Sequence, residues 1–565
     1  MVCQESVEQP LKDDNCGTAP CFRTGAILLL IMVLAAGLRL FKLGQISPPG
    51  LNQDEAVNAW NAWCLLKTGK DQVGVSWPIF YLRTLGSNNT PLYIYSMIPF
   101  FAVFGFSIWS ARLVSVVFGI LCIPVIYYIG CRLFDRRVGL MAALLLALNP
   151  WHLHLSRWAI ESGICPLLGL IPLAMLLWAG MPISDDKKCV PRPLIAAVAG
   201  AAVGISCYGY WAARIFIPMF LTLVVLISIP ALWASAKTRR GLSAIAAFSA
   251  GFFAFFGPLV WQHIFHPEGI ARRTQFQRLW QESTPLAVKA LSILFRYVNH
   301  FSPDFLFVRG DHFEIQAPAV GGEFHWYSCP LMIAGLAVLL WKFRSSRSAR
   351  ILITFVAAYP LSDCFGRAIS SHSLRSSPGM CSLILLAALG AVGIAERLRK
   401  RNQKLFLTAL VIFIFSVISL NARYLYHYFG EYNRRTEIYH QYHTDLIEAC
   451  RWLKPRFDKY DAIFCTTERM NMPYVITLVA LGYEPKRWLS EPREFVNNPG
   501  SEFDYYTRYG KMYFTYSESV LRALNRMPRN SRFLFIVRPG ELGLKNPVYQ
   551  INDPNGAVSL WICPL

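Results

Sequence analysis

Apolar runs of roughly 18 to 22 residues recur along the chain, separated by short loops in which Lys and Arg cluster. Each run is long enough to cross a hydrocarbon core of about 30 Å as a helix. The runs are apolar all round, whereas helices on a soluble core would be amphipathic. The strongest basic clusters are Arg132–Arg137, Lys187–Arg192, Lys237–Arg240, Lys342–Arg350 and Arg397–Lys404. Placing all five on the cytoplasmic side gives one self-consistent path. Crossings then fall near 24–43, 112–131, 138–155, 164–180, 193–210, 212–234, 243–263, 328–342, 350–366, 378–396 and 404–421, about eleven in all. The N-terminus (1–23) lies inside and the C-terminus outside. Residues 91–107 are apolar but short, aromatic and interrupted by proline. A crossing there would turn every later basic loop outward, so the segment reads as an interfacial or re-entrant helix.

The external inventory follows: loop 44–111, the turn at 155–163, the turn at Tyr208–Arg214, loop 264–327, the short loop 365–377 and the tail 422–565. The tail changes character, with short apolar runs such as Ala462–Cys465 and Phe533–Val537 and turn signals at 498–500 and 553–556. It reads as a small α/β domain packed on the external face. The expected architecture is thus an all-α polytopic membrane protein, with its membrane domain at 24–421 and an extracytoplasmic α/β domain at 422–565.

Composition sharpens this picture. Of 565 residues 54% are hydrophobic and only 16% charged, against about 25% charged in a soluble domain. The net charge of +21 sits largely in the loop clusters, where it is a topology signal; nucleic acid is not an expected partner. The first apolar run has no small-residue cleavage site after it and reads as a signal anchor. The fifteen cysteines form no CxxC pair, and most lie inside apolar runs as small hydrophobes. A disulfide among Cys450, Cys465 and Cys563 has no support from spacing.

The candidate chemistry gathers outside. Asp54 and Glu55 follow a Pro/Gly-punctuated turn just beyond the first crossing and open a probable helix carrying Trp60 and Trp63. A carboxylate at this boundary suits a general base; an acidic pair at a helix N-terminus is also what the macrodipole favours. Arg157, Arg214 and Arg375 stand at external helix ends. Their planar forks suit a lipid phosphate, Arg375 ahead of Arg157 and Arg157 ahead of Arg214, and each also reads as a snorkelling interfacial arginine. His152 and His154, at i and i+2, point apart on a helix and make a poor ligand pair. The stretch 299–326 holds Asp304, Asp311, His312, Glu314, Glu323 and His325. It suits a divalent cation, an acceptor sugar or a solvated cover over the site, and a divalent metal ion is left open as a cofactor. Asn88-Asn89-Thr90 is a formal glycosylation sequon close to the expected membrane surface.

Taken in order, Ser47–Ala56, Asp71–Pro78, Asn88–Tyr95, Gly105 to Leu113, Asn149–Glu161, Tyr208–Arg214 and Ser371–Pro378 resemble the GT-C glycosyltransferases. The likeness is to the group holding protein O-mannosyltransferases and the lipid A aminoarabinose transferase. It covers roughly residues 25–400 and is clearest over 45–165. It implies a polyprenyl-phosphate-linked sugar donor, an external active site, and inversion at the anomeric carbon. It implies Asp54 as base with Glu55 in support, and Glu161 as a second acid where some relatives have Asp. Asn89 and Tyr93 then lie on the substrate side with the three arginines. The aminoarabinose enzymes have Lys before the proline that matches Pro91; Thr90 stands there, so the phosphate contact comes from elsewhere. The acceptor is a glycan, lipid or protein hydroxyl, and the site is a multi-pass cell (inner) membrane. Two other classes compete. A lipid-linked glycan transporter or flippase commonly shows repeat symmetry and mid-membrane ionisable residues, and no repeat is evident here. A polysaccharide ligase or polymerase would not need the early Asp-Glu pair.

Overall fold

Uniformly apolar runs can satisfy their backbone in lipid only as helices, and they do so here. The structure is a computed structural model that describes residues 18–84, 87–186, 190–267, 283–317, 320–342, 344–365, 371–496, 504–514, 524, 527–528 and 530–565. Most of the N-terminal segment 1–23, the turn signal at 498–500 and parts of loops 264–327 and 365–377 lie outside the described residues.

In chain order the helices begin with α1 (Thr18–Leu40), α2 (Gln53–Thr68), α3 (Pro91–Phe104), α4 (Ile108–Leu133), α5 (Arg136–Leu148) and α6 (Pro150–Leu155). Then come α7 (Cys165–Trp178), α8 (Pro193–Ser206), α9 (Trp211–Ala236), α10 (Arg239–Phe265), α11 (Leu286–Asn299), α12 (Ser328–Lys342) and α13 (Arg347–Ala358). The short α14 (Leu361–Cys364) and α15 (Ser373–Ser376) precede the long α16 (Met380–Arg401) and α17 (Gln403–Phe429). A short hairpin, β1 (Leu82–Thr84) and β2 (Ser87–Asn89), lies between α2 and α3.

Among the described residues, seven helical stretches are long and apolar enough to cross a membrane. They coincide with the expected runs at 24–43, 112–131, 164–180, 212–234, 243–263, 378–396 and 404–421. The runs at 193–210 and 328–342 fold as the shorter α8 and α12. Those at 138–155 and 350–366 are interrupted before Pro150 and at Pro360, where proline withholds a backbone donor and disfavours helix in the preceding residue. The α3 segment is a helix of 14 residues, about 21 Å long and short of a full crossing. Large apolar side chains face outward along these helices, among them Leu30, Trp233, Phe415 and Ile418, each more than 60% exposed. A belt of this kind belongs against lipid. Small residues bring helices into close contact: a Cβ on Gly200 of α8 would lie 2.0 Å from the Phe248 carbonyl oxygen of α10.

After α17 the chain forms α18 (Thr436–Gln441), α19 (Thr444–Leu453), α20 (Pro473–Leu481) and α21 (Pro485–Ser490) around a seven-stranded sheet. Its strands are β3 (Ala462–Cys465), β4 (Arg493–Val496), β5 (Tyr505–Tyr509), β6 (Met512–Phe514), β7 (Phe533–Val537), β8 (Tyr549–Asn552) and β9 (Val558–Pro564). The order is β4-β5-β6-β3-β7-β9-β8, with β3 parallel to β6 and β7 and the other neighbours antiparallel. Cys450, Cys465 and Cys563 are buried there as free thiols.

The joint between the two parts is α2. Its Val57, Trp60 and Cys64 pack into the core of the sheet domain, where Trp60 meets Trp488 edge-on at 5.9 Å. Its Ala59, Ala62 and Leu65 pack into the core of the membrane domain. Apolar residues on two faces of one helix make sense only between two partners.

Candidate active site

The turn between α1 and α2 is held from both sides. The Ser47 N–H donates to Asn433 Oδ1 at 2.6 Å, the Leu51 N–H to the Tyr442 carbonyl at 2.6 Å, and Asn52 Nδ2 to the Gln441 carbonyl at 3.4 Å. Gly50 passes so close to this segment that a Cβ would lie 2.0 Å from the Tyr442 oxygen. Asn52 then caps α2, its side chain accepting from the Asp54 N–H at 3.0 Å while Glu55 Oε2 accepts from the Asn52 N–H at 3.2 Å. This is a capping box, so the acid pair does open a helix.

The two acids are placed very differently. Glu55 is fully buried and takes a two-pronged ion pair from Arg112, with both N···O distances 2.8 Å. Its Oε1 also accepts the Ala159 N–H at 2.9 Å. Arg112 also donates to the Pro48 and Gly50 carbonyls at 2.8 and 2.5 Å. One carboxylate and one guanidinium thus tie together the turn, α2, α4 and the turn that precedes Glu161. Asp54 is half-buried on the first turn of the same helix.

Arg157 is likewise committed. It donates to the carbonyls of Arg39 at 2.6 Å, Ile46 at 2.8 Å, Ser47 at 3.0 Å and Leu38 at 3.3 Å, and lies over the Phe429 ring. It caps the carbonyl end of α1, where a cation is favoured. Arg39 is buried beside it, reaching His152 Nδ1 at 2.8 Å and the Ala147 carbonyl at 3.2 Å. Asn89 bridges from Thr84 Oγ1 (3.0 Å) to Asn58 Oδ1 on α2 (2.9 Å). Tyr93 is buried with its hydroxyl 2.7 Å from Ser115 Oγ, within reach of the charges of Glu55, Glu161 and Arg112. Glu161 is buried at the start of a short 3₁₀ turn (Glu161–Ile164) that packs on α3, α4 and α15. Arg214 points elsewhere, toward the Cys207 and Phe80 carbonyls, both at 3.1 Å, with its guanidinium over Trp211.

A second charged cluster lies around α14 and α15. The buried Asp363 sits 3.3 Å from Arg296, 3.2 Å from His300 and 3.8 Å from Arg375, and accepts the His372 N–H at 3.1 Å. The side chain of Arg375 is 19% exposed. Asp311 accepts the Ser373 and Phe313 N–H groups at 2.6 and 3.0 Å. His372 lies 3.8 Å from Asp311, yet burial and the charge of Arg375 push its imidazole down to about 4. It is therefore neutral at pH 7. Burial and the charge of Asp311 push the Glu323 carboxyl well up. His154 bonds to the Ile315 carbonyl at 2.8 Å and Tyr428 at 3.2 Å, not to a shared site with His152. Among the described residues no three His, Cys, Asp or Glu side chains come together as a metal site.

Sequence reasoning gave no role to Arg112, although it lies in the stretch Gly105 to Leu113, and it passed over Arg39 and Asp363. Each had a signal: a charged residue inside or at the edge of an apolar run is costly there unless it is partnered.

Residues 88–261 match the family model of dolichyl-phosphate-mannose-protein mannosyltransferases. The chain superposes on ArnT from Cupriavidus metallidurans bound to undecaprenyl phosphate with a TM-score of 0.52 at 12% identity, covering 97% of this chain and 98% of that one. Apo ArnT from the same organism gives 0.52 at 13% identity, covering 96% and 98%. The apo oligosaccharyltransferase of Archaeoglobus fulgidus gives 0.46 at 14% identity, covering 81% and 64%. No curated protein sequence matches the chain.

Proposed function

We propose that this protein is a membrane glycosyltransferase that moves a hexosyl or pentosyl group from a polyprenyl-phosphate carrier to an acceptor hydroxyl. The site lies on the side of the membrane that carries the sheet domain, which the basic clusters make the external side with the N-terminus inside. The reading of the carrier class is supported by the fold shared with ArnT, whose structure holds undecaprenyl phosphate, and by the family match over 88–261.

One observation carries the assignment of roles: of two adjacent acids, Glu55 is locked in an ion pair while Asp54 is half-buried at the membrane boundary. Asp54 accepts the proton of the acceptor hydroxyl as its oxygen attacks the anomeric carbon. The bond from that carbon to the phosphate oxygen breaks on the opposite face, so the sugar inverts in one displacement. Arg375 holds the departing phosphate with charge-assisted hydrogen bonds. Glu55, Arg112 and Arg157 position the turn that presents Asp54. Tyr93, Asn89 and Glu161 line the substrate side, while Arg214, turned to the Cys207 and Phe80 carbonyls, takes no part in it. Loop 264–327 and the sheet domain shape the acceptor side, whether the acceptor is glycan, lipid or protein.

The test is sugar transfer in membranes carrying the chain, supplied with radiolabelled polyprenyl-phosphate sugars. Asp54→Asn should lower transfer by about 10²- to 10⁴-fold, the range of a general base, with an unchanged melting temperature. Undiminished transfer would remove Asp54 from the mechanism, and no transfer by the wild type from any donor would count against the reading itself.

A further inference from the structure

At the end of the bundle remote from Asp54, α9 and α10 separate. α10 is pressed onto α8, where a Cβ on Gly204 would lie 2.7 Å from the Phe252 carbonyl oxygen and one on Gly251 2.2 Å from that of Ala197. α9 does not follow, and a cavity of about 390 Å³ opens between α9, α10 and the turn after α7. Met181, Leu221, Val225, Leu232, Phe248 and Phe252 line it. Of the lining side chains two are polar, Thr222 and Ser249, and the Thr222 hydroxyl donates to the Pro218 carbonyl at 2.8 Å. Such a wall suits hydrocarbon. It opens sideways onto the lipid-facing belt, where Val225, Leu226 and Phe253 are 49–59% exposed.

The cavity lies on the side of the membrane opposite the sheet domain. α9 is 26 residues long, about 39 Å. Its first turn holds Arg214, which reaches the Phe80 carbonyl in loop 44–111, while Leu232 stands close to its other end. The rim at that end is basic. Lys237, Arg239 and Arg240, where α9 turns into α10, are all exposed. Arg240 Nε donates to the Pro191 carbonyl at 2.7 Å, which ties this turn to the loop after α7, and Arg192 of that loop donates to the Trp178 carbonyl. Ile183 of the same loop lines the cavity. The acids that follow it do not offset the rim: Asp186 is held by Arg132 at 2.9 Å and Asp185 by Arg347 at 3.6 Å.

An apolar slot ending beneath exposed cations is complementary to a hydrocarbon chain with an anionic head. A neutral lipid would leave the cations unanswered, and a soluble anion would leave the slot unfilled. The carrier of the proposed reaction presents its phosphate on the opposite side. We infer that this cavity is a binding site for an anionic phospholipid of the leaflet opposite the sheet domain. One acyl chain lies between α9 and α10, and the headgroup rests on Lys237, Arg239 and Arg240. The chain fills the gap where α9 leaves α10, bracing the end of the bundle that has no sheet domain over it.

The experiment uses the full chain in phosphatidylcholine nanodiscs. Each contains a small share of either phosphatidylglycerol or phosphatidylcholine with a diazirine on the same acyl chain. On irradiation the phosphatidylglycerol probe should label peptides 217–232 and 245–256 at least about fivefold more than the phosphatidylcholine probe, the worth of one cation beside an anionic lipid. Equal labelling of these peptides by the two probes would overturn the inference. The joint substitution Lys237→Ala, Arg239→Ala and Arg240→Ala should abolish that preference while label on 405–418 holds; a preference that survives it would overturn the inference as well. Excess polyprenyl phosphate should leave the label in place, and displacement would assign the cavity to the carrier's tail instead. The comparison of the two probes and the displacement are made on the wild type, and no measurement depends on sugar transfer.

Discussion

The two charged clusters beside the site differ in how completely they are closed. Around Glu55, the guanidiniums of Arg112 and Arg157 end on one carboxylate and on backbone carbonyls of the same turn. Around Asp363, one buried carboxylate is shared among Arg296, His300 and Arg375 at 3.2–3.8 Å, and Arg375 keeps part of its side chain exposed. The first cluster is a brace: its two guanidiniums are buried and donate chiefly within it. The second is looser, and its Arg375 is the guanidinium we propose for the departing phosphate. Arginine at a membrane boundary is thus read by where its fork ends, not by its place in a motif.

The comparison can be broken most forcefully at Arg112. Arg112→Ala strands Glu55 as a buried charge, which costs about 3–5 kcal/mol, and the melting temperature in detergent should fall sharply with loss of transfer. An unchanged melting temperature would mean that the brace is not one. Arg375→Ala should do the reverse: transfer falls about 10- to 100-fold at limiting donor, from loss of about 1.5–3 kcal/mol of charged hydrogen bonding, while the melting temperature holds. Arg157→Ala, made in parallel, should lower the melting temperature; a pure transfer defect there would exchange the two arginines' roles.

The smallest effect concerns pH and a third cluster, remote from the site. Burial alone would raise the Asp445 carboxyl, but His440 at 3.4 Å, Arg538 at 2.8 Å and the Ser559 hydroxyl at 2.7 Å outweigh it and hold the group well below the usual carboxylate range. A depressed folded value contributes stability that is present above the unfolded value of about 3.9 and is lost as pH falls toward the folded one. Below about pH 4 the wild type should therefore lose melting temperature more steeply than Asp445→Asn. Parallel curves would show that the network contributes nothing to acid stability.

The membrane fold was legible because it rests on run length and loop charge, which are local properties. Trp60 and Trp63 at i and i+3 marked α2 as a helix, and the adjacent acids marked its start. The sequence could not show that Glu55 pairs with Arg112, 57 residues away, because that contact depends on how α2 crosses α4. Nor could it show Arg157 closing the end of α1, which requires the turn at 46–47 to fold back over it. Asp363 was hidden inside an apolar stretch that reads as a crossing until Pro360 ends the helix. In each case the residue type was visible, and its partner was set by tertiary packing.

The packing of α2 has a further consequence for how the molecule comes apart. With Val57, Trp60 and Cys64 in one hydrophobic core and Ala59, Ala62 and Leu65 in the other, neither core is complete without this helix. Its withdrawal exposes apolar surface on both sides at once, at about 1.5–3 kcal/mol for each large side chain. The sheet domain is therefore not a detachable appendage: bundle and sheet share one cooperative folding unit, and cleaving the chain after α17 would leave a membrane half with an open wound where Trp60 now sits.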